Sequence, residues 1–213
     1  MGCARGMFCA ILAYMIALEP CWKSYIVKTA EPVLTHMQCD EIIGIGKNEP
    51  KINATIGSES KKLDASYRRS NISWIPFSKA VAIYQVISQW MKITNNNYFG
   101  FDNVVLSEQG QYAEYDKDGF YNWHMDSNVE MSAMPSVRKI SMTLLLNDPK
   151  EFKGGELELF NGGKLDSDDG GNKFNLKRGY AIFFASFLLH RVRPVIKGNR
   201  KSLVMWFGGT PLK

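Results

Sequence analysis

The chain has 213 residues, enough for one domain with a sizeable core, and its 45% hydrophobic and 22% charged residues are typical of a globular protein. The net charge of +5 comes from short basic clusters, most of which should be solvated surface. These are Lys61-Lys62, Arg68-Arg69, Arg138-Lys139 and Lys197–Lys201. Since no nucleic-acid-binding motif accompanies the charge, we expect no nucleic-acid partner.

The cysteines and the N-terminus bear on where the protein resides. All four cysteines fall within the first 39 residues and form no CxxC pair, which argues against a zinc knuckle or a disulfide framework and predicts a reducing, cytoplasmic compartment. Residues 1–21 form an apolar extension, but its unbroken run Met7–Leu18 is shorter than the about 20 residues of a membrane span. No small-residue cleavage site follows it. A targeting signal, a dispensable extension and an added helix remain alternatives.

The folded domain is expected to span residues 22–213, with helical support over 22–100. A short strand in "YIVK" precedes a first helix, whose start is marked by the capping-box spacing of Thr35 and Gln38. Its buried side is predicted from Ile42, Ile43 and Ile45. Residues 48–70 are polar throughout and predict a loop.

A second helix is predicted in "WIPFSKAVAIYQVISQWMKITNNN". Ser78 can cap it, and the asparagine run at 95–97 should end it. The apolar positions that recur at helical spacing should pack on the core: Val81, Ile83, Tyr84, Ile87, Trp90 and Met91.

Residues 101–213 change to short apolar segments separated by turn-rich connectors. Eight candidate strands are "NVVLSE", "QYAEY", "FYNWHMD", "KISMTLLLN", "GELELF", "YAIFF", "HRVRPV" and "SLVMWF". One face of the fourth should carry Ile140, Met142, Leu144 and Leu146, and the other Ser141 and Thr143. Helices followed by antiparallel strands predict an α+β, mainly β fold: a double-stranded β-helix (jelly roll) with the N-terminal helices packed outside its major sheet.

A histidine and an aspartate two residues apart, His124 and Asp126, share one face of the predicted strand "FYNWHMD". Alone, this pair fits either a metal-binding edge or a strand with polar residues facing water. Only His36 and His190 remain as further imidazoles. His36 lies in the capped helix, whereas His190 begins a strand that a small barrel can place against His124. Two histidines and one carboxylate on one face suit non-haem Fe(II).

Arg200 lies ten residues after His190, beyond the turn "VIKGN". A strand–turn–strand return would bring its guanidinium beside the metal strand, where it could bind the carboxylate of a dicarboxylate cosubstrate in a bidentate manner. The alternative is a surface arginine next to Lys201.

The segments "YDKDGFYNWHMD", "FKGGELEL" and "RGYAIFFASFLLHRVRPVIKGNRKSLVMWF" resemble, in the same linear order, the prolyl-4-hydroxylase-like 2-oxoglutarate/Fe(II) dioxygenases, above all the small bacterial and phage-type members. The resemblance runs from about residue 112 to residue 208. It implies Fe(II), 2-oxoglutarate and O2 as cofactors and cosubstrates, and it allows for ascorbate as a reductant. The implied reaction hydroxylates an unactivated C–H bond, most often in a prolyl residue of a peptide or protein, with release of succinate and CO2.

By resemblance, the iron ligands are His124, Asp126 and His190. Arg200 would bind the distal carboxylate of 2-oxoglutarate, and Tyr115 would donate a hydrogen bond to the same carboxylate.

Two aromatic residues, Tyr121 and Trp206, match positions that line the substrate pocket of peptide-hydroxylating relatives. Their alternative role is packing in a half-buried sheet. Gly154 and Gly155 match a turn of the family that is architectural.

Two positions depart from the family pattern. Asp118 stands where a glycine is expected and Gly119 follows it, so that turn is predicted to be shifted. Leu145 stands where peptide hydroxylases often carry a tyrosine, so the sequence determines the substrate less well than the iron site. A free amino acid or another small molecule is therefore an alternative substrate, and a zinc hydrolase or a non-catalytic jelly-roll binding module is an alternative class.

Overall fold

The computed structural model describes residues 24–53, 67–127, 136–162, 164 and 170–210. The helices of this part are α1 (His36–Asn48) and α2 (Val81–Thr94), with 3-10 turns at Phe77–Lys79 and Pro149–Glu151 and a π turn at Asn95–Phe99. Its strands are β1 (Ile26–Lys28), β2 (Ile52–Asn53), β3 (Arg68–Arg69), β4 (Asn71–Ile75), β5 (Val105–Leu106), β6 (Gly110–Tyr115), β7 (Phe120–His124), β8 (Val137–Leu145), β9 (Phe152–Gly154), β10 (Leu157–Phe160), β11 (Gly171–Phe174), β12 (Ala181–Ala185), β13 (His190–Val192), β14 (Val195–Gly198) and β15 (Arg200–Gly209). Residues 1–21 lie outside the described residues.

Two antiparallel sheets build the barrel. The major sheet has the order β1-β12-β8-β15-β6-β4-β2, with β5 also paired to β15, and the minor sheet has the order β11-β10-β13-β7-β3. Strands β14 and β9 form a separate pair. The apolar residues between the sheets come from both, with Ala113 and Leu145 on the major sheet facing Leu159 and Val192 on the minor sheet. The predicted jelly roll is confirmed.

A second apolar layer joins the helices to the outer face of the major sheet. On β8, Ile140, Met142 and Leu144 enter this layer, as predicted, together with Leu146 just past the strand. Helix α1 lies so close to β6 that a Cβ atom at Gly46 would come within 2.4 Å of the Tyr112 ring. This close approach explains a glycine inside a helix.

The start of α1 is as predicted. Thr35 is the N-cap: its Oγ1 accepts from the Gln38 amide (3.2 Å), and the Gln38 side chain accepts from the Thr35 amide (2.9 Å). Ile42 is buried, and Ile43 and Ile45 pack partly buried on the same core.

The start of α2 differs from the prediction. Ser78 lies in the preceding 3-10 turn, and the helix begins at Val81 without a side-chain cap. Val81 itself is 55% exposed, because at about 100° per residue it lies away from the face that carries the buried Ile83 and Ile87. The other predicted core positions of this helix are buried or packed against the core, and α2 ends at Thr94 before the asparagine run.

Several short strands were not predicted from the sequence. The predicted loop 48–70 contains β2 and β3, β4 follows it, and β9 and β11 lie in predicted connectors; residues 54–66 are outside the described part. The segment "HRVRPV" divides into β13 and β14, which join different sheets. These strands are two to five residues long and owe their conformation to distant partners, such as β6 for β4, which leave no local pattern.

The N-terminal part of the chain contributes strands as well as helices. Strands β1, β2 and β4 all join the major sheet, so the boundary expected near residue 100 stays a prediction. Within the described ranges, neither helix has the length and apolar character needed to cross a membrane.

Candidate metal centre

The site is built at the end of β7. The prediction placed His124 and Asp126 on one face of this strand. The strand stops at His124, however, and Asp126 lies just past its end. The main chain turns there because the amides of Asp126 and Ser127 both donate to the Ser186 carbonyl, at 2.9 and 3.0 Å. This turn, and not strand alternation, directs the Asp126 carboxylate toward the imidazole of His124.

His190 reaches the same place from the neighbouring strand. It is the first residue of β13 and lies directly opposite His124 in the strand register. Nε2 of His190 is 3.4 Å from one oxygen of Asp126, and Nε2 of His124 is 3.8 Å from the other. One ligand atom from each residue lies within 4.8 Å of the other two, and all three side chains are at most 8% exposed.

Main-chain hydrogen bonds orient both imidazoles. Nδ1 of His124 lies 2.8 Å from the Asn122 carbonyl, and Nδ1 of His190 lies 2.9 Å from the Leu188 carbonyl. A carbonyl only accepts, so each Nδ1 carries the proton and donates it. Each Nε2 is left with a lone pair directed at the carboxylate, as a metal ligand requires.

The protonation states also suit a metal. Burial, together with the nearby charge of His190, lowers the pKa of His124 to about 3, so this imidazole is neutral at neutral pH. Burial alone would raise the pKa of Asp126, but the neighbouring histidines and a hydrogen bond hold it below its usual value. That bond comes from Ser141 Oγ at 2.7 Å.

Two imidazoles and one carboxylate gathered on one side form a donor set that fits Fe(II) and leaves other coordination positions open. His36, the remaining histidine, is exposed at the start of α1.

Arg200 faces the barrel interior from the other sheet. The prediction placed Arg200 beside the strand that carries the metal ligands. Arg200 is instead the first residue of β15 in the major sheet, so it lies across the barrel from that strand. The side chain is 3% exposed and donates to Ser202 Oγ (2.9 Å). Among the described residues no carboxylate forms an ion pair with it, and burial lowers the pKa of this guanidinium.

Tyr115 and Gly155 frame this arginine. Tyr115 is the register partner of Arg200, and its ring centre lies 5.6 Å from the guanidinium carbon. Gly155 has a φ of +69°, and a Cβ atom there would approach the Arg200 Cδ at 2.9 Å. Only glycine fits this turn and leaves room for the arginine.

A cavity of about 200 Å³ borders Arg200 inside the barrel. Its apolar walls include Leu145, Leu157, Leu176 and Phe152. Leu145 is the position where the resemblance leads one to expect a tyrosine, so the smaller side chain leaves open space beside the guanidinium. The other departure is also explained, because Asp118 adopts a φ of +66°, a conformation that glycine enters freely and aspartate tolerates.

The two predicted substrate aromatics lie in different surroundings. Tyr121 stacks on His124, and burial raises the pKa of its phenol to about 12. Trp206 is 5% exposed, and its indole Nε1 is buried with no hydrogen-bond acceptor in the described part of the chain. Their roles toward a substrate stay predictions.

Sequence reasoning missed the charged residues around these aromatics. Arg138 covers the Trp206 ring at 3.9 Å and pairs through two 2.7 Å bonds with Glu108, while Arg68 lies over Tyr121. Arg68 and Arg138 belong to basic clusters that were expected on the surface. Arg68 is nevertheless only 9% exposed, and Lys139, the neighbour of Arg138, is only 2% exposed. The position of Arg138 and Lys139 in an apolar strand was the sequence signal that these charged residues are not ordinary surface residues.

The double-stranded β-helix fold and the three-residue site resemble those of 2-oxoglutarate/Fe(II) oxygenases. Residues 110–208 match the family model described as the 2OG-Fe(II) oxygenase superfamily. This range contains all three candidate ligands and Arg200, and the prolyl-4-hydroxylase-like resemblance drawn from the motifs is confirmed.

Curated relatives match over the same region. A PKHD-type hydroxylase of Synechococcus sp. (strain JA-2-3B'a(2-13)) is 33% identical over 93 residues, which are 43% of this chain and 39% of the relative. One of Teredinibacter turnerae is 36% identical over 94 residues, again 43% of this chain and 39% of the relative. The chain therefore matches about two-fifths of the length of these relatives.

Solved structures share the fold more widely. The viral collagen prolyl hydroxylase of Paramecium Bursaria Chlorella virus-1, in its 2OG complex, superimposes with a TM-score of 0.66 at 22% identity, over 90% of this chain and 100% of the other. A Pseudomonas putida prolyl-4-hydroxylase gives 0.64 at 20% identity, over 87% and 92%. A Trichoplax adhaerens prolyl hydroxylase in complex with a hypoxia inducible factor peptide fragment gives 0.68 at 15%, over 86% and 83%.

Proposed function

We propose that this protein is a 2-oxoglutarate- and Fe(II)-dependent dioxygenase that hydroxylates a prolyl residue of a peptide or protein. The observation that carries the proposal is the convergence of His124, Asp126 and His190, with each Nε2 free and each Nδ1 held by a carbonyl. Bound iron would supply the oxygen activation that couples decarboxylation of 2-oxoglutarate, to succinate and CO2, to C–H hydroxylation.

The protein's own residues would hold and shield the reactants. Ser141 fixes the Asp126 carboxylate, so that the ligand geometry is set before metal binds. Phe184 packs against the His190 ring, with centroids 4.7 Å apart, and so shields one side of the centre from water.

Arg200 supports 2-oxoglutarate as the cosubstrate. A buried guanidinium without an ion pair in the described part of the chain is costly, because the charge of Glu156 acts on it without forming a salt bridge, and a bound dicarboxylate would supply that contact. The adjoining cavity offers space beside it, and Tyr115 lies within reach to donate a second hydrogen bond.

Trp206 supports a peptide substrate. It is the register neighbour of Ser141, which binds Asp126, so the indole lies one strand from the metal ligands. Its buried Nε1 has no acceptor in the described part of the chain and is a candidate donor to a substrate carbonyl, while Arg138 and Trp74 hold the ring in place. The cytoplasmic location expected from the cysteines stays a prediction.

The test is anaerobic addition of Fe(II) and 2-oxoglutarate to the metal-free protein. We expect a visible metal-to-ligand charge-transfer band, which disappears in His190→Ala. His36→Ala is the matched control, because it removes the exposed histidine, and it should keep the band. Succinate formation with proline-containing peptides then tests the substrate.

Two results would contradict the proposal. Tight zinc binding without the band would favour a zinc hydrolase, and failure to bind any divalent metal would favour a binding module. Turnover of free proline but not of peptides would keep the iron chemistry and replace the substrate class.

A further inference from the structure

One of the candidate metal ligands is the end of a three-layer stack of side chains. The Tyr121 ring lies on the His124 imidazole, with centroids 3.5 Å apart and planes inclined by 15°. The guanidinium carbon of Arg68 lies 4.3 Å from the centre of the same tyrosine ring. At these distances both neighbours cannot share one face, so Tyr121 is enclosed between a cation and the ligand.

This stack depends on an irregularity in β7. Residues three apart point to opposite faces of a regular strand, so Tyr121 and His124 should not meet. In the pairing with β13, His124 lies opposite His190 and Tyr121 opposite Val192, so that three residues of β7 span two of β13. Such a β-bulge redirects side chains, and here it places the tyrosine on the histidine face.

Arg68 is buried, and no carboxylate of the described residues acts as its counter-ion. It is 9% exposed, donates to Ser70 Oγ at 2.8 Å and to Gln111 Oε1 at 2.9 Å, and forms no ion pair with a carboxylate of the described residues. Both acceptors are neutral, so the tyrosine face supplies the remaining electrostatic stabilisation. The two hydrogen bonds hold the guanidinium in the plane that covers Tyr121.

Tyr121 is also held at its edge. Tyr67 contacts it edge-on, with centroids 5.9 Å apart, and the Tyr67 hydroxyl donates to the Trp123 carbonyl on β7 itself at 2.8 Å. The tyrosine therefore has little freedom to leave the histidine.

We propose that Arg68 and Tyr121 are positioning residues that fix the ring plane of His124 for metal binding. The bond from Nδ1 to the Asn122 carbonyl holds one edge of the imidazole, but a single bond lets the ring tilt about it. The stacked tyrosine removes that tilt, and the arginine holds the tyrosine in place. The inference rests on the proposed function, since it requires His124 to be a metal ligand.

The test is titration of the metal-free protein with Co(II), with the ligand-field absorption bands and the Kd as readouts and neither 2-oxoglutarate nor substrate present. Losing a partner that orients a ligand weakens metal binding by about 10- to 100-fold. Tyr121→Leu should therefore raise the Kd by about 10-fold or more and change the band shape. Tyr121→Phe keeps the stack and should restore both.

Arg68→Met should raise the Kd by a smaller factor, about 3- to 10-fold, because the tyrosine stays but loses its support. Arg69→Met is the matched control: it removes the neighbouring arginine, which is exposed, and should bind like wild type. Circular dichroism of each metal-free variant reports whether the fold is intact.

A wild-type Kd and spectrum in folded Tyr121→Leu would overturn the inference. If that variant does not fold, Arg68→Met decides alone, and wild-type values in it would overturn the inference equally. Absence of Co(II) binding by the wild-type protein would instead contradict the proposed function.

Discussion

Arg200 shows at the scale of one residue how binding and stability can oppose each other. A buried guanidinium with one neutral side-chain acceptor, Ser202, contributes little to folding, because the cost of removing the charge from water is not offset by an ion pair in the described part of the chain. It becomes favourable when an anion binds.

The variant Arg200→Met separates the two effects. Hydrogen bonds to charged groups contribute about 1.5–3 kcal/mol, so 2-oxoglutarate affinity should fall by about 10- to 150-fold. The free energy of unfolding should stay within about 1 kcal/mol of wild type, since a buried charge is replaced by an apolar side chain of similar length. Calorimetric titration with metal present and urea denaturation measure the two quantities.

Arg178→Met is the opposite control. Arg178 donates to the Leu146 carbonyl at 2.8 Å and pairs with Asp40, so it joins α1 to the sheet. Its loss should lower the free energy of unfolding by about 1 kcal/mol and leave 2-oxoglutarate affinity unchanged. Unchanged affinity in Arg200→Met would remove the role proposed for Arg200.

At the scale of elements, the turn after β9 supports the cosubstrate site. Gly155→Ala would introduce both a left-handed backbone strain of about 1–2 kcal/mol and a contact at 2.9 Å with Arg200 and Val195. We expect a total loss of stability of about 2–4 kcal/mol and weaker 2-oxoglutarate binding, because the arginine must move.

Gly162→Ala isolates the backbone part of this effect. Gly162 has a φ of +92°, but a Cβ atom there would meet nothing within 4 Å. It should lose only about 1–2 kcal/mol in urea denaturation and keep its affinity for 2-oxoglutarate. Equal losses in the two variants would mean that the contact with Arg200 does not matter.

Elements with a local cause were predictable from the sequence. Thr35 and Gln38 cap α1 because both partners lie within one turn, and β8 alternates because its outer face packs on the helices. Elements held by distant partners were not predictable: β4 pairs with β6, and β9 pairs with β14.

The site follows the same division. The residues His124, Asp126 and His190 were predicted because their types and order are distinctive. Their geometry could not be predicted. The turn that directs Asp126 depends on Ser186, 60 positions away, and the bulge under Tyr121 appears only in the pairing with β13. Sequence spacing cannot report a contact whose partner lies on another strand.

At the scale of the whole molecule, a bound metal would link parts of the chain that fold far apart in sequence. His124 and Asp126 lie at the end of β7, and His190 lies on β13. Asp126 also accepts a hydrogen bond from Ser141 on β8 of the other sheet. A metal held by these residues binds the folded protein and not the unfolded chain, so it should stabilise the entire fold.

The expected gain is about 2.7 kcal/mol at a Co(II) concentration of 100 times the Kd, which for a chain of this size raises the melting temperature by about 5–10 °C. His190→Ala should lose this rise, because two remaining ligands bind weakly, while His36→Ala should keep it. Differential scanning fluorimetry with and without Co(II) measures the shift. An equal rise in His190→Ala would mean that the metal stabilises the protein at another place.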